Sequence, residues 1–116
     1  MGYRIAIASN NGESVNQHFG QTENFLIYEI SAEGAAFIED REIIPASEGT
    51  EHSEAGLKRV ADELYDCSAV FVLKIGMKAS RYLYQLGLKS FQVNYSLNYI
   101  FEKLIKNQKD GLVKII

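Results

Sequence analysis

Tyr3-Arg4-Ile5-Ala6-Ile7-Ala8-Ser9-Asn10-Asn11-Gly12-Glu13-Ser14-Val15-Asn16-Gln17-His18-Phe19-Gly20 opens the chain and decides how it folds. The first six residues alternate as a half-buried strand does, with Ile5 and Ile7 on one face. A second alternating run, Phe25-Leu26-Ile27-Tyr28-Glu29-Ile30, follows the loop. Two to five residues join most hairpins, so a loop this long between two strands is a functional candidate. It carries an Asn-Asn-Gly turn signal, several amides and hydroxyls, and one of the chain's 2 histidines. Gly20 beside Phe19 permits close backbone approach or a positive φ.

Working outward, residues 3–9, 24–31 and 35–44 read as three strands, with a Glu33-Gly34 turn between the last two. Pro45 ends the third, because proline cannot continue a ladder. A second loop, 45–53, holds the other histidine, His52. Ser53 is a helix N-cap candidate, and Leu57, Val60, Ala61 and Leu64 recur at helical spacing. The apolar run Ala69 to Leu73 suits a strand buried on both faces, as in parallel sheets. Lys74-Ile75-Gly76-Met77 turns into a second helix with the stripe Ala79, Tyr82, Leu83 and Leu86, closed by Gly87. Residues 88–93 form a fifth strand. Ser96 caps a third helix with the stripe Leu97, Ile100, Phe101, Leu104 and Ile105. A tail, 107–116, has a short strand expected over 112–116.

The order βββαβαβα predicts one mixed sheet with helices packed on it. If strand four lies parallel to strand one, the 9–20 loop, the 45–53 loop and the Lys74–Met77 turn share one sheet edge. Ligands of open α/β sheets sit beyond the carboxyl ends of parallel strands. Cys67 falls on the opposite edge.

The 116 residues are expected to form a single domain, 1–116, with 47% hydrophobic and 23% charged side chains. No apolar run approaches the ~20 residues of a membrane span, and the N-terminus enters a strand directly, with no signal-peptide pattern. One cysteine excludes an internal disulfide and suits a reducing cytoplasm. A net charge of −3 without a basic run makes nucleic acid and membrane poor partners.

The loop wording Ser-Asn-Asn-Gly, then Val-Asn-Gln-His-Phe-Gly, then Phe-Leu-Ile-Tyr-Glu-Ile resembles the dinitrogenase iron-molybdenum cofactor biosynthesis family, which includes NifX, the NafY core and the NifB C-terminal domain. Asp66 to Gly76 and Leu86-Gly87-Leu88-Lys89 agree. The resemblance implies a ribonuclease-H-like α/β fold. It also implies a carrier, not an enzyme, that binds the iron-molybdenum cofactor or an iron–sulfur precursor cluster labilely and meets cofactor-assembly proteins or apo-nitrogenase. Two alternatives are the C-terminal domain of a NifB-type cofactor synthase and a cluster-free regulatory or interaction domain. The family often has a cysteine in the second loop; here that loop reads Ala46-Ser47-Glu48-Gly49.

The residues themselves leave His18 open between a metal ligand and a loop histidine that holds its own backbone. The resemblance favours the ligand, since its His-Phe-Gly motif is matched at every position. Asn16 and Gln17 are candidates to orient the imidazole or to donate to cluster sulfides; Asn10, Gly12, Phe19 and Gly20 complete that loop. His52 is a second candidate ligand or a polar surface residue. Lys74 and Gly76 open a helix whose free amides favour an anion, or make an ordinary βα turn. Cys67 reads as a small buried hydrophobe. No CxxxCxxC, Cys₄ set or Walker sequence occurs. The first and fourth strands carry no carboxylates for nuclease metals, so the fold analogy does not bring nuclease activity with it.

Overall fold

The computed structural model describes residues 2–46 and 54–106. Three strands come first: β1 (Tyr3–Ile7), β2 (Asn24–Ser31) and β3 (Gly34–Glu42). They are followed by α1 (Glu54–Glu63), β4 (Cys67–Val72), α2 (Met77–Gln85), β5 (Lys89–Gln92) and α3 (Leu97–Lys106). The expected βββαβαβα order holds. His52, Ser53, most of the 45–53 loop and the strand expected over 112–116 lie outside the described residues.

One five-stranded sheet runs β3-β2-β1-β4-β5. β2 is antiparallel to both β1 and β3, and β4 is parallel to β1 and β5. Alternation along β1 sorts the two cores. Ile5 and Ile7 join Phe71, Phe91 and the Leu97, Ile100 and Leu104 stripe of α3 on one face. Ala6 and Ala8 join Val70, Val72, Val60 and Leu64 of the α1 side, and Leu83 of α2, on the other. β4 is covered on both faces, which explains its unbroken apolar reading.

Some boundaries and one packing expectation change. β1 ends at Ile7, because Ala8 already turns its carbonyl to the loop amides of Asn16 and Gln17. β4 begins at Cys67, where the ladder to β1 starts. Leu86 is not in the buried stripe of α2. It forms the C-cap and is 48% exposed, while Gly87 turns the chain with φ +92°. Ser96 caps α3 as expected, its hydroxyl accepting from the Tyr99 amide at 3.1 Å. Among the described residues, no helix is long and apolar enough to cross a membrane.

Candidate functional site

The 9–20 loop is fixed by its own polar side chains before it meets anything else. The hydroxyl of Ser9, buried at the end of β1, accepts from the Gly12 amide at 3.0 Å and donates to Asn11 Oδ1 at 3.1 Å. Asn11 Oδ1 also accepts from the amides of Glu13 (2.8 Å) and Ser14 (3.1 Å). This Asx-type turn needs a left-handed residue, which Gly12 supplies at φ +71°. Asn10 and Asn16 clasp each other: Asn16 Nδ2 donates to Asn10 Oδ1 at 2.7 Å, and the Asn10 amide donates to Asn16 Oδ1 at 3.1 Å.

The second half of the loop is stitched to the sheet. Val15 is buried and its amide donates to the Tyr95 carbonyl at 3.0 Å. The Leu97 amide donates to Glu13 at 2.9 Å, so the loop also seats the start of α3. Beyond it, the Leu73 amide donates to Gln17, and the Phe19 amide donates to Lys74, both at 2.9 Å. His18 and Lys74 thereby form a parallel bridge that extends β4 by one more pairing. The His18 carbonyl accepts from the Gln21 amide at 3.1 Å and from the hydroxyl of the fully buried Thr22 at 2.7 Å. Phe19 is 2% exposed and packs 6.3 Å from the ring of Phe25.

His18 is therefore an exposed imidazole on a backbone held from both sides. Its side chain makes no hydrogen bond among the described residues. Lys74 is exposed at the bridge, and Gly76 is the exposed N-cap of α2. A Cβ on Gly76 would meet nothing within 4 Å, so the space above this helix end is open. The turn is held by the Ile75 amide, which donates to Gln92 Oε1 at 3.0 Å.

The structure brings His18, Lys74 and Gly76 to the sheet edge beyond β1 and β4, as topology requires. Asn10, Gly12 and Asn16 shape the loop, and Asn10 and Asn16 satisfy each other. Gln17 contributes its backbone to the β4 extension, and its side-chain amide makes no hydrogen bond among the described residues. Phe19 points into the core, anchors His18 and opens the 3₁₀ turn Phe19–Gln21, in which Gly20 is the middle residue. Cys67 lies at the far edge, in register with Arg4; burial pushes its thiol up to about 12, and the neighbouring Asp66 carboxylate adds to this. Thr22 and Gln92 brace the site and were not singled out in the sequence. A lone hydroxyl ending a polar loop gives no spacing signal, and Gln92 reaches Ile75 from another strand.

Among the described residues, no group of three or more His, Cys, Asp and Glu side chains could hold a metal ion. The donor set at this edge is one imidazole, side-chain amides and a lysine ammonium. Such a set can offer one nitrogen to a metal and hydrogen bonds or positive charge to anionic sulfides. It leaves the metal's other positions to ligands the metal brings with it.

The chain is similar to known proteins over most of its length. The profile of the family described as dinitrogenase iron-molybdenum cofactor matches residues 1–107. The FeMo cofactor biosynthesis protein NifB of Herbaspirillum seropedicae is 31% identical over 111 residues, covering 96% of this chain and 21% of that protein. Protein NifX of Klebsiella pneumoniae is 29% identical over 90 residues, covering 78% of this chain and 56% of that protein. The chain thus spans about a fifth of the NifB relative and just over half of the NifX relative. The crystal structure of PH0822 has the same fold, with a TM-score of 0.67, 23% identity, and coverage of 89% of this chain and 88% of that one. With residues 1–107 matched by the family profile, the chain belongs to the dinitrogenase iron-molybdenum cofactor family.

Proposed function

We propose that this chain carries a metal–sulfur cluster, the iron-molybdenum cofactor or an iron–sulfur precursor of it, on the edge formed by His18, Lys74 and Gly76. Family membership and the NifB and NifX relatives support a role in the biosynthesis of that cofactor. The observation that carries the site is the exposed His18 imidazole on a backbone bridged to Lys74. A single protein ligand on a rigid seat binds a complete cluster without enclosing it, and so releases it readily. The chain binds and hands over cargo in the cytoplasm rather than transforming it. His52, outside the described residues, is proposed as a second ligand from the adjoining loop. The strand order β3-β2-β1-β4-β5 supports the ribonuclease-H-like assignment.

The test is anaerobic titration with isolated metal–sulfur cofactor, followed by visible absorption and gel filtration. Parent protein should bind, His18→Ala should bind at least about tenfold more weakly, and both should melt alike because the imidazole is unpacked. Imidazole must be neutral to hold a metal, so parental affinity should fall on acidification and the variant should lose much of that response. Equal affinity and equal pH response in the two proteins would remove His18 from the site. A second reading has its own support: the match to NifB spans 96% of the chain. On that reading the domain holds cofactor as a NifB-type unit, and tight binding to a cofactor synthase would favour it.

A further inference from the structure

Charge is distributed unevenly along this acidic chain. Residues 1–66 hold thirteen of the 15 acidic side chains and only four of the 12 cations. Residues 67–101 hold no acidic side chain at all, and four cations: Lys74, Lys78, Arg81 and Lys89. Ion pairing distinguishes the two groups as well. In the acidic part, Arg4, Arg41 and Lys58 each pair with a carboxylate. The four cations of β4–α2–β5 are all exposed and make no ion pair among the described residues.

The solvent side of α2 adds an apolar component. Met77, Lys78, Arg81, Tyr84 and Gln85 fall on one helical stripe, and Leu83 on the opposite side is fully buried. Met77 is 71% exposed and Tyr84 is 66% exposed. Tyr, Met and Arg are the side chains enriched where proteins meet. The stripe starts at Gly76, beside the His18–Lys74 bridge.

We propose that the outer face of α2, from Met77 to Tyr84, is the docking surface for an acidic protein. Unpaired cations interleaved with an exposed thioether and a phenol complement a surface that offers carboxylates around apolar side chains. A polyphosphate fits less well: four cations in a chain of net charge −3 give a weak field, and Met77 and Tyr84 would go unused. A protein bound along α2 would lie next to His18. The inference does not depend on which cargo His18 holds.

The probe is a random glutamate–tyrosine copolymer, which presents carboxylates and aromatic rings together; oligothymidylate of matched charge is the comparison. Amide chemical shifts of the isotope-labelled full chain should move along Met77–Gln85 and at Lys89, with affinity falling as salt rises. The double variant Lys78→Glu, Arg81→Glu should bind about tenfold more weakly at low salt and flatten the salt dependence. Tyr84→Ser should weaken binding and leave the salt dependence in place, because it removes only the apolar contribution. These exposed positions should not alter the circular-dichroism melt. The proposal is overturned if the copolymer shifts other faces or none, or if the charge reversals leave affinity unchanged. Tighter binding of oligothymidylate to α2 would make the surface one for nucleic acid. Salt-sensitive self-association in sedimentation, abolished by Arg81→Glu, would make the occupant a second copy of this chain. Either result overturns the proposal.

Discussion

Gly56, in the first turn of α1, lies directly against the carbonyl oxygen of Ala46, so close that a Cβ on Gly56 would overlap that oxygen. Replacing glycine by alanine inside a helix ordinarily stabilises by roughly 0.5–1 kcal/mol. Here the neighbour is backbone and cannot swing aside. Overpacking of this kind costs about 1–3 kcal/mol, so Gly56→Ala should lose stability on balance, by about 1 kcal/mol or more. Urea denaturation midpoints check the sign; a gain would mean that α1 shifts freely away from Ala46.

Phe71 and Val72 are both fully buried, on opposite faces of β4. Phe71 stacks on Phe91 of the neighbouring strand at 5.1 Å between ring centroids. Phe71→Ala should cost on the order of 3–5 kcal/mol in urea melts, through lost burial and a cavity that a sheet cannot collapse to fill. A loss below ~1 kcal/mol would contradict the central position of β4.

What the sequence shows by itself follows from where each signal resides. Strand and helix identities were legible because the Ile5/Ile7 alternation and the Leu97–Ile100–Leu104 spacing are local periodicities. The shared edge of His18 and Lys74 was legible because parallel pairing of β1 and β4 fixes which loops leave the same end. The charge cluster of Arg4, Arg41 and Asp66 was not, since its members come from separate elements and no spacing relates them. The clasp of Asn10 and Asn16 was hidden for another reason. Amides in a polar loop look alike in sequence, whether they bind each other or a ligand. Leu86 was misplaced because helical spacing does not say where the helix stops.

Cys67 should behave as an inert thiol. It is buried, and desolvation pushes its ionisation up to about 12, so little thiolate exists near neutral pH. A disulfide reagent at pH 8 should react slowly with folded protein and rapidly in urea. Cys67→Ser should leave cluster binding unchanged, because the residue sits at the far edge from His18, and should lower stability through a buried hydroxyl. Loss of cluster absorption at unchanged stability would show that the thiol reaches the cargo.

Asp66 closes the same far edge by joining three strands. Arg41 of β3 grips it with two bonds, Nη1 to Oδ1 at 2.8 Å and Nη2 to Oδ2 at 3.0 Å. Arg4 of β1 adds a third, Nη1 to Oδ2 at 3.0 Å. The side chains of Asp66 and Arg41 are only 15% and 12% exposed, so solvent screens the pair weakly. The hydrogen bonds from Arg41, with those from Arg4, hold the Asp66 carboxyl well below the usual carboxylate range, against the opposing effect of burial. The unfolded chain takes up this proton near its ordinary value of about 3.9, before the folded chain does. The associated stability is therefore complete above that value and lost as pH falls below it toward the folded pKa. Its slope approaches ~1.4 kcal/mol per pH unit for one proton. Asp66→Asn should cost about 3 kcal/mol at neutral pH. That is the lower end for breaking a buried pair, because Glu39 still holds Arg41 at 2.7 Å. The same variant should show a shallower loss of stability between pH 4 and pH 2. Urea melts of parent and variant across that range measure both effects, and parallel pH profiles would show that Asp66 titrates alike in the folded and unfolded chains.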